Sequence, residues 1–317
     1  MISRLLTLRR IATTCVCLLA LGRCSVTLAQ ATVAPEIVNL QAAVDGFPIR
    51  MSYYPARPDK NPNGLENAPV VLFLHGEKSK RVEWDNGSAP RGQPPIPSFL
   101  NSQGYAVLVP DLRKHGDSIV EGRADDTVRP TDYPAMVAGD LVAIKRFLFE
   151  QHMARKLNMS KLAIVASDVS VPVALAFAEA DWKQIPFDDS ALMSERTPRG
   201  QDVRALVLIS SKTRAGTLTA PNSMRFLASP QLGIAMLFIA GDQDKVALRD
   251  TTTLHQVAAA PAKADERVQL LTVPSKDAGI PLLVKSPQTI NGMLKFLEEK
   301  FAKQEIPWRD RRSRLER

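Results

Sequence analysis

The sequence predicts an α/β fold, with a mostly parallel, eight-stranded sheet that carries helices on both faces. Short, continuous apolar runs such as Val70–Leu74 and Leu162–Ala166 indicate strands that are buried on both faces. Segments with apolar residues at helical spacing alternate with these runs along the chain. This alternation is typical of parallel sheets with crossover helices, and no linker or internal repeat interrupts it. We therefore expect one domain over residues 32–303.

Eight strands are predicted in chain order. The first two form a hairpin around Asp45-Gly46, because polar and apolar residues alternate on either side of this turn. Most of the others are apolar runs that end in polar or proline-containing loops. The predicted strands are Glu36–Val44, Ile49–Tyr54, Val70–Leu74, Tyr105–Val109, Leu162–Ala166, Ala205–Ile209, Met236–Ala240 and Val268–Val273.

Helical segments fill the intervals between these strands. Apolar residues share one helical face in Met136–Phe149 and again in Thr289–Lys303. Asp181–Asp202 is polar and is expected to be a surface insertion. The interval from Ser210 to Ala235 leaves little room for a separate lid domain, so none is expected.

Residues 1–31 have the pattern of a secretory signal peptide. Three arginines near the start precede the apolar stretch Ile11–Leu21, which is too short to span a bilayer, and Ala29-Gln30-Ala31 is a cleavage motif. Two alternatives remain: acylation at Cys24, and retention of this segment as a membrane anchor. We expect an exported chain, periplasmic or released, with no membrane span after cleavage.

Composition excludes some classes of function. All three cysteines lie within residues 1–31, so the remaining domain has no disulfide. The net charge of +8 includes four arginines of the same segment, and five more arginines lie in Arg309–Arg317. Because the basic residues are concentrated at the two ends, no nucleic-acid partner is expected. Residues 304–317 are expected to be a flexible, basic tail, with contact to an anionic surface as the alternative.

One strand–turn–helix stretch, Leu162–Ala178, carries the chemistry. Its turn reads Ala166-Ser167-Asp168-Val169-Ser170, with small residues on either side of a central aspartate. His75-Gly76 follows the third strand, and the run Pro110–Ser118 follows the fourth. In this order and spacing the chain resembles the α/β-hydrolase superfamily, in particular its lidless, serine-peptidase-like and esterase-like members, over about residues 36–303. The resemblance implies the α/β-hydrolase fold, with the turn as its nucleophile elbow.

The resemblance also implies a degenerate triad. Asp168 stands at the nucleophile position, where the esterases have serine, and Asp244 matches the acid after the seventh strand. The histidine belongs in the loop after the eighth strand, but no histidine follows His255. A serine nucleophile needs an imidazole base, whereas an aspartate is already ionised near neutral pH. Even an aspartyl ester, as in epoxide hydrolases and haloalkane dehalogenases, needs a histidine to activate the water that cleaves it.

Other residues near the elbow have less specific roles. His75, Gly76, Glu77 and Val169 are expected to border the remnant pocket, with His75 held by hydrogen bonds and the Glu77 amide in the oxyanion hole. Asp168 itself has a structural alternative, which is to cap the helix that begins at Ser170.

Five further side chains are weaker candidates for functional groups. Ser167 and Ser170 are weak candidates for a displaced nucleophile. His115 is expected to brace its loop, and His255 to lie away from the pocket. Asp242 with Asp244 lacks further metal ligands, so neither a metal nor another cofactor is expected.

The favoured function is an exported α/β-hydrolase-fold protein that has lost triad catalysis and binds a small ligand or a partner at the remnant pocket. One alternative is an active hydrolase of ester, amide or alkyl halide bonds, with Asp168 or an unrecognised group as nucleophile. Another is a structural or interaction module of the cell envelope that binds no ligand.

Overall fold

A computed structural model describes residues 34–90, 92–120, 122, 127–261 and 266–317. The predicted signal peptide, residues 1–31, lies outside the described residues. Ten strands lie in the described part of the chain: β1 Glu36–Gln41, β2 Pro48–Tyr54, β3 Val70–Leu74, β4 Ala106–Pro110, β5 Leu162–Ser167, β6 Val203–Ile209, β7 Arg214–Ala215, β8 Leu218–Thr219, β9 Ala235–Gly241 and β10 Val268–Val273.

Nine α-helices are found among the same residues: α1 Arg81–Asp85, α2 Ile96–Ser102, α3 Asp132–Ala135, α4 Leu141–Met153, α5 Ser170–Trp182, α6 Ala220–Leu227, α7 Lys245–Ala259, α8 Gly279–Lys285 and α9 Pro287–Phe296. Two π-helical segments extend this set, Met136–Asp140 between α3 and α4, and Leu297–Ala302 after α9. No helix of the described residues has the length and apolar content needed to cross a membrane.

Eight strands form one sheet in the order β1-β2-β4-β3-β5-β6-β9-β10. β2 is antiparallel to β1 and to β4, and the pairings from β4 to β10 are parallel. β7 and β8 form a separate small hairpin. The prediction of an eight-stranded, mostly parallel sheet is confirmed.

Both faces of this sheet are buried, as the continuous apolar strands predicted. Along β3, Leu72 lies in the hydrophobic cluster that packs under α4, α5, α6 and α7. Its neighbour Phe73 lies in the opposite cluster, with Trp84, α8 and α9. Because successive side chains of a strand point to opposite faces, each interior strand contributes to both clusters.

Element boundaries differ from the predictions by a few residues. β1 ends at Gln41 rather than Val44, because the turn begins earlier, with the Ala42 amide donating to the Phe47 carbonyl at 2.8 Å. The predicted helix Met136–Phe149 is the middle of a longer one that starts at Asp132 and passes through a π-helical segment.

The C-terminal segment corrects a prediction. Residues 304–317 are not a solvated tail but lie against the domain. The Trp308 indole donates to the His152 carbonyl at 3.0 Å, and the two rings stack. Arg311 is 5% exposed and forms an ion pair with buried Asp202 at 2.9 Å.

Four of the five arginines of this segment form ion pairs with acidic residues. Arg312 pairs with Asp310 at 2.6 Å, and Arg314 lies 3.7 Å from Glu195. The Arg314 amide also donates to Asp189 at 2.9 Å. Glu195 and Asp189 belong to the polar excursion after α5, which composition alone did not connect with the C-terminus.

Candidate functional site

The carboxyl ends of the parallel strands meet at one edge of the sheet, and a cavity of about 540 Å³ opens there. The loops after β3, β5, β6, β9 and β10 each contribute to its lining. The lining residues are Gly76, Glu77, Lys78, Ser79, Glu83, Ser167, Asp168, Ser210, Lys212, Asp244, Val246, Ala247, Ala278, Gly279, Ile280 and Pro281.

Asp168 occupies the tight turn between β5 and α5. Its backbone is left-handed, with φ of 56°, a conformation that aspartate tolerates better than most residues. Its amide donates to the Ile209 carbonyl at 3.1 Å, and its carbonyl accepts from the Lys212 amide at 3.3 Å. Gly76 leaves room for this turn, since a Cβ at position 76 would lie 3.2 Å from the Asp168 Cβ. The turn therefore directs the Asp168 side chain toward the cavity.

The Asp168 carboxylate contacts the loop after β3 and the loop after β6. Its Oδ2 accepts from the Glu77 amide at 3.3 Å, and its Oδ1 lies 3.9 Å from the Lys212 Nζ. Helix α5 has Val169 as its N-cap residue, with no side-chain capping bond. The alternative in which the Asp168 side chain caps α5 is therefore wrong, because the carboxylate points across the turn to Glu77 instead of back toward the first helical amides.

His75 supports the cavity from beneath and does not line it. Its Nε2 accepts from the Leu112 amide at 3.0 Å, so the proton is on Nδ1, which donates to the Gly76 carbonyl at 2.8 Å. Burial, reinforced by the neighbouring His115, lowers the pKa of His75 to about 3. The ring is therefore neutral at physiological pH.

His115 holds the Glu77 loop from the other side. Its Nε2 lies 2.8 Å from the Glu77 carbonyl oxygen, and its Nδ1 lies 2.9 Å from that of Arg113. These contacts join the loop after β3 to the loop after β4, which is the bracing role expected of His115. The Glu77 amide is thereby held at the cavity, although the Glu77 side chain is exposed.

Asp244 caps a helix. Its Oδ1 accepts from the Ala247 amide at 3.0 Å in the first turn of α7. The loop after β10 reaches the elbow, since a Cβ on Gly279 would lie 3.9 Å from the Ser167 Oγ. The Gly279 amide donates to the Ser210 Oγ at 3.0 Å. Asp244 and Gly279 thus lie at the cavity, but neither contacts an imidazole.

The four histidines of the chain all fall within the described residues, and none of them lines the cavity. His152 packs on Trp308, and His255 packs edge-on against Phe238. The expectation that Val169 borders the pocket is also corrected. Val169 is the N-cap residue of α5 and packs against the hydrophobic cluster under α4–α7.

The two serines beside Asp168 are part of the turn. The Ser170 hydroxyl donates to the Ser167 carbonyl at 2.8 Å and accepts from the Ser167 amide at 3.1 Å. Ser170 is buried, and Ser167 is 2% exposed although it borders the cavity. Neither serine lies within hydrogen-bonding distance of a histidine, so neither has a base.

Several lining residues were not predicted. Lys212 and Ser210 follow β6, whose carboxyl end lies beside the elbow. Their position directly after a strand that neighbours β5 is the sequence feature that could have predicted them. Ser79 donates to Glu83 at 2.7 Å and fixes the loop into α1. Tyr133 lies near the site as well, since burial and the charges of Glu77 and Asp168 raise its pKa.

Gly241 determines how closely the loop after β10 can approach β9. A Cβ at this position would collide with the carbonyl oxygen of Ser275, which is backbone and cannot rotate away. We expect Gly241→Ala to lower the free energy of unfolding by about 2 kcal/mol, as overpacking does, and to displace the loop. Urea unfolding measures the loss. Gly233→Ala is the control. Nothing lies near a Cβ at that position, so the substitution costs only the strain of placing alanine in a left-handed backbone. An equal loss in both variants would contradict the prediction.

Comparisons with known proteins agree on the fold. No protein-family model matches the chain. A curated relative, an epoxide hydrolase of Siraitia grosvenorii, is 33% identical over 90 residues, which span 26% of this chain and 24% of the relative. The match therefore spans about a quarter of that protein's length.

Solved structures match over most of the chain at low sequence identity. An esterase of Pyrococcus furiosus is similar with a TM-score of 0.56 and 13% identity, over 84% of this chain and 91% of that one. A dienelactone hydrolase of Anabaena variabilis has a TM-score of 0.53 and 17% identity, over 85% of this chain and 98% of that one. A putative α/β hydrolase of Agrobacterium tumefaciens has a TM-score of 0.54 and 13% identity, over 86% of this chain and 99% of that one. The chain has the α/β-hydrolase fold.

Proposed function

We propose that this chain binds a small ligand in the cavity at Asp168 and does not perform Ser-His-acid hydrolysis. One observation carries the proposal. The elbow directs a carboxylate into a cavity of about 540 Å³ that no histidine of the chain lines. The cavity is large enough for a small molecule. Of the side chains that would form a proton relay, the serine is replaced by Asp168, the histidine after β10 is absent, and the retained acid Asp244 caps α7 instead of contacting an imidazole.

The chemistry of acyl transfer explains why these replacements disable it. A general base must take the nucleophile's proton and return it to the leaving group. Asp168 needs no base to be nucleophilic, but its Oδ2 already accepts the Glu77 amide that an oxyanion would use. The attacking oxygen and the oxyanion donor are thus paired with each other in the free protein.

The charges of the lining indicate what kind of ligand fits. Four lining side chains are acidic, Glu77, Glu83, Asp168 and Asp244, against the two lysines Lys78 and Lys212. This excess of negative charge disfavours an anionic ligand and favours a neutral or cationic one. Apolar residues of the other wall, including Ile280 and Pro281, suit an uncharged body. We propose a small amine or alcohol with an apolar group.

A second function is favoured by the epoxide hydrolase match and by the aspartate at the elbow. In this case an Asp168 oxygen attacks a ring carbon, the carbon–oxygen bond of the epoxide breaks, and the alkoxide takes a proton from water. The ester then persists, because no histidine lines the cavity to activate the water that would cleave it. This function predicts a single covalent adduct on Asp168 per chain and no steady turnover.

One set of assays separates these functions. We expect the full chain to show no turnover of p-nitrophenyl butyrate and no adduct with a fluorophosphonate. We expect 2-phenylethylamine to raise the melting temperature in the wild type and in Asp188→Asn, a control at an exposed carboxylate. Asp168→Asn, which is isosteric and tolerates the same backbone, should lose this stabilisation.

Other outcomes reject the proposal. Ester turnover that disappears in Asp168→Asn would show an active hydrolase. A mass increase on Asp168 after incubation with styrene oxide would support the second function. If no amine or alcohol gives an Asp168-dependent shift, the cavity does not bind this class, and the non-binding module of the cell envelope becomes the better explanation.

We also propose that the chain acts outside the cytoplasm, on the pattern of residues 1–31. The charged start, the short apolar stretch and Ala29-Gln30-Ala31 support removal of this segment during export. Sequencing the N-terminus of the protein recovered from the exported fraction tests this. Recovery of the chain with its N-terminus intact, in the membrane fraction, would favour the anchor instead.

A further inference from the structure

A second cavity lies at the opposite edge of the sheet from Asp168. Its volume is about 530 Å³, and it is lined by residues that precede three parallel strands: Pro69 before β3, Tyr105 before β4 and Lys161 before β5. Helices α2 and α9 form its walls. The length of β5 separates it from the elbow by roughly 20 Å, at about 3.3 Å per residue. The two cavities therefore share no lining residue.

Lys161 is an unusual residue to find in this cavity wall. It is only 8% exposed, and its ammonium donates to the Ala302 carbonyl at 2.9 Å. Among the described residues no carboxylate pairs with it, and its three donor positions have one protein acceptor, the Ala302 carbonyl, at a wall of the cavity. Burial lowers its pKa, since nothing nearby compensates the charge. Lysine is rarely buried to this degree unless it is paired.

The rest of the lining indicates the partner that this ammonium lacks. Lys295 adds a second positive charge at the rim, and Glu298 supplies one negative charge. The charged side chains of the lining therefore sum to +1, which suits a monoanion better than a dianion. Phe99 and Leu294 present apolar surface, and Tyr105 is 6% exposed with a hydroxyl that burial keeps protonated by raising its pKa.

We propose that this cavity is a second binding site, which takes a small carboxylic acid with an apolar body. The carboxylate accepts hydrogen bonds from the Lys161 ammonium, and the apolar body lies against Phe99 and Leu294. A carboxylate on a buried ammonium forms charge-assisted hydrogen bonds, which are the stronger kind. The site is independent of the function proposed for Asp168, because no residue is shared.

The test compares three probes of similar shape and different charge: phenylacetate, phenylacetamide and 2-phenylethylamine. We expect phenylacetate to raise the melting temperature of the full chain and to bind at least about tenfold more tightly than phenylacetamide in calorimetry. Lys161→Met keeps the unbranched stem and removes the charge, so it should weaken phenylacetate binding by about tenfold or more. Asp168→Asn, which lies at the other cavity, should bind phenylacetate nearly as the wild type does.

The variants also separate binding from folding. Replacing an unpaired buried charge by an apolar side chain is often neutral or stabilising, so free Lys161→Met should melt no lower than the wild type. Leu294→Trp fills the cavity while leaving Lys161 in place, and it too should lose phenylacetate binding. Three results would overturn the proposal: no stabilisation of the wild type by phenylacetate, equal binding in Lys161→Met, or preference of the Asp168→Asn variant for 2-phenylethylamine over phenylacetate. Loss of 2-phenylethylamine binding alone bears only on the Asp168 cavity.

Discussion

Replacing Arg311 by alanine is expected to lower the free energy of unfolding by about 3 kcal/mol, one of the two largest effects we predict for this chain. Arg311 reaches back from the C-terminal segment to Asp202, with a 2.9 Å ion pair and a second contact at 3.2 Å. Both side chains are almost fully buried. Burial raises the pKa of Asp202, and the positive charges of Arg311 and Lys145 oppose that rise. Without Arg311, the buried carboxylate keeps Lys145 as its cation, at 3.2 Å.

Urea unfolding followed by circular dichroism measures the loss. Arg312→Ala is the matched control, because it removes a neighbouring arginine whose ion pair is half-exposed, and such pairs contribute about 1 kcal/mol or less. Adding Asp202→Asn to Arg311→Ala should recover part of the loss, since the buried carboxylate that lost one of its two cations is then neutral. A loss in Arg311→Ala no larger than in Arg312→Ala would mean that the C-terminal segment is held by other contacts.

This segment shows where sequence reasoning stopped. Composition predicted a solvated basic tail, because five arginines in nine residues have no apolar pattern. Their partners Asp189, Glu195 and Asp202 lie more than a hundred residues earlier in the chain. Neither the C-terminal segment nor the excursion after α5 has a periodic pattern that would predict contact between them. Only the fold, which returns the chain after α9 to the excursion after α5, brings them together.

The sheet was predictable for the opposite reason, since its signal is local. Each interior strand is an apolar run bounded by polar residues, and the first two strands alternate around a short turn, so the order of the eight strands defines the topology almost completely. The strand ends were less certain because a single turn bond, such as that from Ala42 to Phe47, can end a strand early.

The candidate site lies between these cases. Because the carboxyl ends of parallel strands share one edge, the sequence placed Glu77, Asp168 and Asp244 near one another, and the structure puts all three at one cavity. The sequence did not indicate which atoms these carboxylates contact. Asp168 accepts from the Glu77 amide rather than from α5, and that difference depends on a left-handed turn and on the bare Gly76 beside it. The catalytic meaning of these residues stays a prediction.

His75 is expected to make the stability of the chain strongly dependent on pH below about 6.5. The pKa of histidine is 6.5 in its ordinary state, and burial lowers that of His75 to about 3 in the folded chain. Between these values the unfolded chain binds a proton that the folded chain does not. Folded stability therefore falls with falling pH, by up to about 1.4 kcal/mol for each pH unit, and His75 contributes no pH dependence above this window.

The comparison that isolates His75 is with His75→Gln, whose side-chain oxygen can still accept the Leu112 amide. Between about pH 6.5 and 4.5 we expect the wild type to lose about 2 to 3 kcal/mol more than the variant in urea unfolding. Burial also lowers the pKa of His152 and His255 and raises that of Asp140, but these effects are common to both proteins and cancel in the difference. Parallel pH profiles would mean that the ring is protonated without unfolding. If the profiles diverge, His75 is the group through which acid destabilises the fold in this range, because the unfolded chain binds the proton that the folded ring does not.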